Sequence, residues 1–160
     1  MTKLKIETGV ENQILRAKAV PVEKIDKSIK KLIQNMVDTV DKANGLGLAA
    51  PQVGVGKRVI VIIFNYDTDH EIIMPFINPE IVYFSKKENI CEEGCLSLPG
   101  VWKSVKRSSL IRVKFLDLKG TDQLLEIENI NARVVQHEID HLDGILFVDR
   151  AEKDMEEPKN

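Results

Sequence analysis

Between Ile25 and Val40 the apolar residues Ile25, Ile29, Leu32, Ile33, Met36, Val37 and Val40 recur at spacings of three and four, which places them on one stripe of an amphipathic helix. Asn44-Gly45 supplies its stop. The pattern then changes. "RVIVIIF" (Arg58 to Phe64) is β-branched and short for a helix, so it predicts a buried strand, followed by turn residues around Asp67 to Asp69. "EIVYFS" (Glu80 to Ser85), the segment around Ile90 to Leu98, and "SLIRVKFLDL" (Ser109 to Leu118) predict further strands, the last alternating Ile111, Val113 and Phe115 onto one face. Lys119-Gly120 turns the chain into "QLLEIE" (Gln123 to Glu128), and the strands are expected to follow one another as an antiparallel meander.

The last element is a helix from about Ile130 to Leu142, with Asn129 or Asn131 as N-cap and Gly144 as stop. Ile130 and Val134 lead through His137 to His141 on one side, while Val135, Ile139 and Leu142 line another. A helix apolar nearly all round is normally buried. The expected fold is α+β: antiparallel β-sheets packed around this buried C-terminal helix, with an amphipathic helix near the N-terminus. Residues 1–150 are read as a single catalytic domain and residues 151–160, "AEKDMEEPKN", as a short flexible tail.

Composition narrows the functional classes. With 160 residues, 43% hydrophobic and 30% charged, and a formal net charge of −2, the chain suits one buried core and carries no basic excess for nucleic acid or membrane surfaces. Its first residues, "MTKLKIETGVENQ", contain no apolar signal-peptide core, so a cytoplasmic protein is expected. Cys91 and Cys95, four apart, are then read as thiols with a metal-binding or catalytic task.

"QHEIDHLDG" (Gln136 to Gly144) spends two of the three histidines on an H-E-x-x-H pattern, whose helical spacing turns His137 and His141 toward one metal ion. Glu138, rotated by about 100°, is poorly placed as a ligand but well placed as a base beside water at the metal. A third ligand must come from His70, Cys91, Cys95 or a carboxylate. Cys95 stands out in "EEGCLSLPG", next to Gly94, and one thiolate with two neutral imidazoles leaves a divalent ion singly positive with an open position. The rival is a closed structural site of Cys91, Cys95, His137 and His141, which would give Glu138 no role. "GLGLAAPQVG" (Gly45 to Gly54) reads as a helix-to-strand loop whose Leu46, Leu48, Ala49 and Ala50 pack inward; it lacks the spacing of a nucleotide loop. Gln52 is either an ordinary surface amide or a neutral donor to a developing oxyanion.

Taken together, "GLGLAAPQ", "EGCLS" and "QHEIDHL", in this order and across roughly Gly45 to Val148, resemble the three signature motifs of the peptide deformylases. The resemblance implies a metal-dependent hydrolase that removes the N-formyl group from the initiator methionine of nascent polypeptides and releases formate. It implies that Cys95, His137 and His141 hold one divalent ion, Fe2+ in cells and Zn2+, Ni2+ or Co2+ in some preparations. Glu138 would be the base and then the acid, and Gln52 and the Leu96 backbone N–H would hold the oxyanion. The peptide would lie extended along Leu46-Gly47 and Gly94, with its methionine in a pocket of Leu46, Cys91, Ile130 and Val134, His137 at the edge. Glu93 would pair with Arg107 to position the ligand loop. Trp102 stands where some relatives carry an arginine. The 19 residues after His141 do not provide the long C-terminal helix that some relatives use at the ribosome, so stable docking there is not carried over and at most a transient association is expected. The alternatives are a zinc-stabilised non-catalytic domain and another H-E-x-x-H metallopeptidase.

Overall fold

The computed structural model of the chain describes residues 2–151, so the expected tail lies outside the described residues except for Ala151, which bridges Val105. A first helix, α1 (Gln13–Arg16), is a single turn capped by Asn12. One turn has no period, and the apolar pattern could not reveal it. Helix α2 (Lys27–Lys42) starts where the Asp26 carboxylate accepts from the Ile29 N–H at 3.0 Å, and it buries Ile29, Ile33, Met36 and Val40.

The strands are β1 (Gly47–Ala49), β2 (Val59–Phe64), β3 (Ile72–Phe84), β4 (Glu88–Cys95), β5 (Leu98–Ser108), β6 (Leu110–Leu116) and β7 (Asp122–Glu128). Five of them form an antiparallel sheet in the order β1-β2-β3-β6-β7. The expected unbroken meander is therefore corrected: β4 and β5 leave the sheet as a separate two-stranded hairpin, and β3 pairs directly with β6. The segment taken as one strand around Ile90 to Leu98 holds the hairpin turn instead. The physical reason lies in its side chains. "ENICEEGC" carries one fully buried residue, Glu93, and could not stand between the apolar strands that share Phe76, Ile111 and Val113 in one core.

Strand β2 lacks polar alternation because both of its faces are covered. Ile60 and Ile62 pack in the cluster that contains Val135, Ile139 and Leu142, while Val59, Val61 and Ile63 pack with Ile29, Ile33 and Met36 of α2. Helix α3 (Asn129–Leu142) lies between the sheet and the hairpin, and every residue from Ala132 to Leu142 is buried. The expected caps differ. Glu128 precedes the helix without a side-chain cap; Asn129 instead takes φ +58° and donates its N–H to the Ser109 carbonyl, and Asn131 bonds Asn65. Gly144 does end the helix, at φ +73°, where a side chain would collide with the Arg16 carbonyl. Among the described residues no helix is long and apolar enough to cross a membrane.

Candidate metal centre

Helical spacing presents His137 and His141 on the face of α3 turned toward the hairpin, and Cys95 closes the end of β4 opposite them. Their ligand atoms lie within 4.8 Å of one another, and the Cys95 Sγ is 3.3 Å from the His141 Nε2. Among the described residues this is the group of potential ligands that converges. Cys91 and His70 are exposed and stand apart from it, so the four-ligand closed site does not form. Residues 91 and 95 belong to one strand, and strand rise carries them too far apart to share an ion at its end.

His137 is held from behind. The His137 Nδ1 is 2.9 Å from the Glu93 Oε1, which leaves the other ring nitrogen for the cluster. Arg107 grips the same carboxylate with two bonds of 2.8 and 2.9 Å and reaches Asp140 at 2.8 Å, and Arg150 holds Asp140 from the far side. Arg133 also donates to Glu93, and to the carbonyls of Val105 and Asn89. The pairing of Glu93 with Arg107 is thus in place, but Arg133, Asp140 and Arg150 complete it and were not singled out from the sequence. A signal existed: an arginine inside the apolar run "NARVVQH" needs a buried partner.

The protein groups alone favour a positive charge at this spot. Burial opposes protonation of His137, yet its hydrogen bonds with Cys95 and Glu93, and the charge of Glu138, raise its pKa to about 10. Burial, followed by the charge on His137, pushes His141 down, and its Nδ1 has no hydrogen-bond partner. A site that draws a buried proton so strongly, with a thiol and imidazole nitrogens converging on it, fits a divalent cation.

Glu138 packs against β1. Burial raises its carboxyl pKa to about 7, and its Oε2 is buried without a partner. Gly47 makes room for it, since a β-carbon there would lie 2.8 Å from the Glu138 Cγ. The Gln52 amide is buried and oriented: its Oε1 accepts from the Ala49 N–H at 2.9 Å, so its Nε2 points to the Cys95 Sγ at 3.5 Å and the Ser97 Oγ at 3.2 Å. Leu96 sits in the hairpin turn beside Cys95.

A cavity of about 510 Å³ opens beside this group, with Leu46, Gly47, Gly94, Ile130, Val134 and His137 in its walls. Arg133 and Trp102 complete it, the indole lying so close over Gly94 that a β-carbon there would be 2.6 Å from its Cζ3. Cys91 is the exception to the expected pocket: it is exposed and does not line this cavity, because it stands a full strand repeat beyond Glu93 toward the outer end of the hairpin.

Glu93 supports a stability prediction. Burial alone would raise its pKa, but the hydrogen bonds from His137 and Arg107 outweigh that and lower it from 4.5 to about 2. A carboxylate with a depressed folded pKa contributes stability above the unfolded value and loses it as pH falls through the folded one; here that amounts to roughly 3 kcal/mol. Urea unfolding of chelator-treated protein should show Glu93→Gln less stable than wild type at neutral pH, the gap narrowing below about pH 4.5. A constant gap across that window would show that the Glu93 charge does not carry it.

Comparison with known proteins adds to this geometry. The polypeptide deformylase family model matches residues 4–157. The peptide deformylase of Desulfitobacterium hafniense is 49% identical over 148 residues, which span 92% of this chain and 93% of that protein. The crystal structure of a Synechococcus elongatus peptide deformylase in complex with actinonin matches with a TM-score of 0.89 at 39% identity, over 94% of this chain and 81% of that one. A Met-Ala-Ser bound crystal structure of a class I type b peptide deformylase from Acinetobacter baumannii matches with a TM-score of 0.86 at 36% identity, over 93% of this chain and 98% of that one.

Proposed function

Since the chain belongs to the peptide deformylase family, it is a hydrolase that removes the formyl group from N-formylmethionyl nascent peptides, and we propose that Cys95, His137, His141, Glu138 and Gln52 carry the reaction. The observation behind this assignment is the convergence of three ligand atoms within 4.8 Å beside an unpartnered, buried Glu138 oxygen. A divalent ion bound by Cys95, His137 and His141 supplies Lewis acidity, polarising the formyl carbonyl and making water acidic enough to lose its proton near neutral pH. For the cellular ion the reading is Fe2+, as the motif resemblance implies; a thiolate with two imidazoles also accepts Zn2+, Ni2+ or Co2+.

The chain's own residues do the rest. Glu138 takes the proton of the attacking water and passes it to the leaving amine nitrogen; a pKa raised to about 7 by burial suits a group that must both accept and donate. The Gln52 Nε2, fixed by the bond that Ala49 makes to its Oε1, donates to the oxygen that gains charge, with the Leu96 N–H as second donor. The peptide lies extended in the groove between β1, which pairs on one side only with β2, and the Gly94 end of β4. Main-chain pairing of this kind is indifferent to the sequence that follows. The methionine side chain enters between Leu46, Ile130 and Val134, with His137 at its edge. Glu93 and Arg107 hold His137 and the Cys95 turn in register. Because the substrates are nascent chains, we place the enzyme in the cytoplasm in transient association with ribosomes.

The test is formate release from an N-formylmethionyl tripeptide by protein loaded anaerobically with Fe2+, with an N-acetyl tripeptide as control and metal per chain measured on the same sample. Release from the formyl peptide alone is expected. No release from protein holding one equivalent of metal would overturn the assignment.

A further inference from the structure

Behind α3 lies a cavity of about 850 Å³ that shares no lining residue with the one beside the metal centre. Gln136, Ile139 and Asp140 line it from the helix, Arg107 from β5, and Arg150 from the end of the short turn Phe147–Asp149. The two arginines meet on one carboxylate. Arg150 donates from Nε to the Asp140 Oδ2 and from Nη2 to Oδ1 at 2.8 Å, and the Arg107 Nη1 donates to the same Oδ2 at 2.8 Å. Arg107 has two further donors, Nε and Nη2, and both go to Glu93, whose Oε1 faces the His137 Nδ1. Alternating charges thus run without a gap from the rear cavity to the imidazole. Side-chain exposure falls along them from 46% at Arg150 through 10% at Asp140 to 3% at Arg107, so Arg150 is the end that solvent reaches.

Arg150 is not needed to hold its own segment. Leu146 and Phe147 are buried, Asp149 is gripped by Arg16 and by the Leu146 N–H, and Ala151 bridges Val105. The fork therefore serves Asp140. Without it the Asp140 Oδ1 loses its donor, and Arg107 becomes the cation that must answer this buried carboxylate alone. Attraction then draws the Arg107 guanidinium toward Asp140 and off Glu93. A slackened Glu93 fixes the His137 ring less firmly, and partners of this kind govern how tightly a ligand histidine holds its metal.

We infer that Arg150 is a positioning residue for the metal centre: by neutralising Asp140 it leaves Arg107 to hold Glu93, and Glu93 to orient His137. The inference rests on the proposed metal centre of Cys95, His137 and His141. Arg150 touches no ligand and does not line the cavity beside them, so its loss acts on metal retention and kcat and leaves KM unchanged.

The experiment follows the loss of the cobalt–thiolate absorption when Co2+-loaded protein is mixed with excess chelator, for wild type, Arg150→Ala and Arg150→Lys. A direct partner of a ligand histidine is worth roughly ten- to hundredfold in metal affinity; Arg150 acts from further out, and Arg150→Ala should release metal about fivefold faster than wild type. Arg150→Lys should fall between the two, because an ammonium is a point charge that cannot bridge both Asp140 oxygens. Guanidinium chloride, added well below denaturing concentration, should enter the emptied cavity and slow release from Arg150→Ala, while sodium chloride at equal ionic strength should not. On the same samples, kcat for an N-formylmethionyl tripeptide should drop with KM constant. Release from Arg150→Ala at the wild-type rate overturns the inference. Faster release that guanidinium does not slow also overturns it, since lost packing and not lost charge would then be the cause. Failure of the underlying metal centre looks different: wild type itself would hold no cobalt, or Cys95→Ala would hold it as well as wild type.

Discussion

Glu138→Gln is expected to lower kcat by about a thousandfold, within the range removed with a general base, while metal content stays at the wild-type level. The substitution keeps the shape of the side chain, so Gly47 still accommodates it and the ligand atoms of Cys95, His137 and His141 are not displaced. What is lost is the capacity to accept a proton from water and return it to the amine. A second readout separates this from general damage. Burial raises the Glu138 pKa from 4.5 to about 7, so the folded protein binds this proton more tightly than the unfolded chain does. The contribution of this group to the stability of chelator-treated wild type then falls as pH rises from about 4.5 to about 7, by on the order of 3 kcal/mol. Glu138→Gln removes that slope and should unfold at a higher temperature than wild type above neutral pH. Near-normal turnover with metal bound would take Glu138 out of the mechanism, whatever the stability result.

Cys95→Ala should retain less than about a tenth of the wild-type metal and release formate at background rate, whereas Cys91→Ala should retain both metal and activity. The contrast follows from placement. The Cys95 thiol touches His141 and receives the Gln52 amide, so its removal deletes one of three donors and the partner of an oxyanion residue at once. Cys91 is exposed on the hairpin, outside both the cluster and the adjoining cavity. Metal per chain by elemental analysis, with formate release on the same samples, decides the point. Equal metal loss from the two variants would restore the closed four-ligand site and leave Glu138 without a catalytic assignment.

The two longer helices were legible because each repeats its pattern over several turns, and β2 because an apolar β-branched run has few alternatives. The departure of β4 and β5 from the sheet was not. Their residues alternate as any hairpin would, and what excludes them is the charge of Glu93 and Arg107, which pair with each other and whose further partners, Arg133, His137 and Asp140, lie far away in the chain. The same holds for Asp140, which reads as a surface residue of α3 until Arg107 and Arg150 meet on it. Asn129 shows the reverse error: a good capping residue by type, it is drawn to positive φ when its N–H goes to Ser109.

The sequence by itself determined the chemistry that spacing within one element can set: two imidazoles on one helical face, a carboxylate turned aside from them, and a thiol at a glycine-flanked strand end. Tertiary structure alone decided which buried charges meet and that Cys91 stays outside the pocket. The reason is that periodicity records which side of an element is covered, while the identity of the covering residue depends on contacts between segments distant in the chain. A buried arginine has to find a carboxylate, and no local pattern names it.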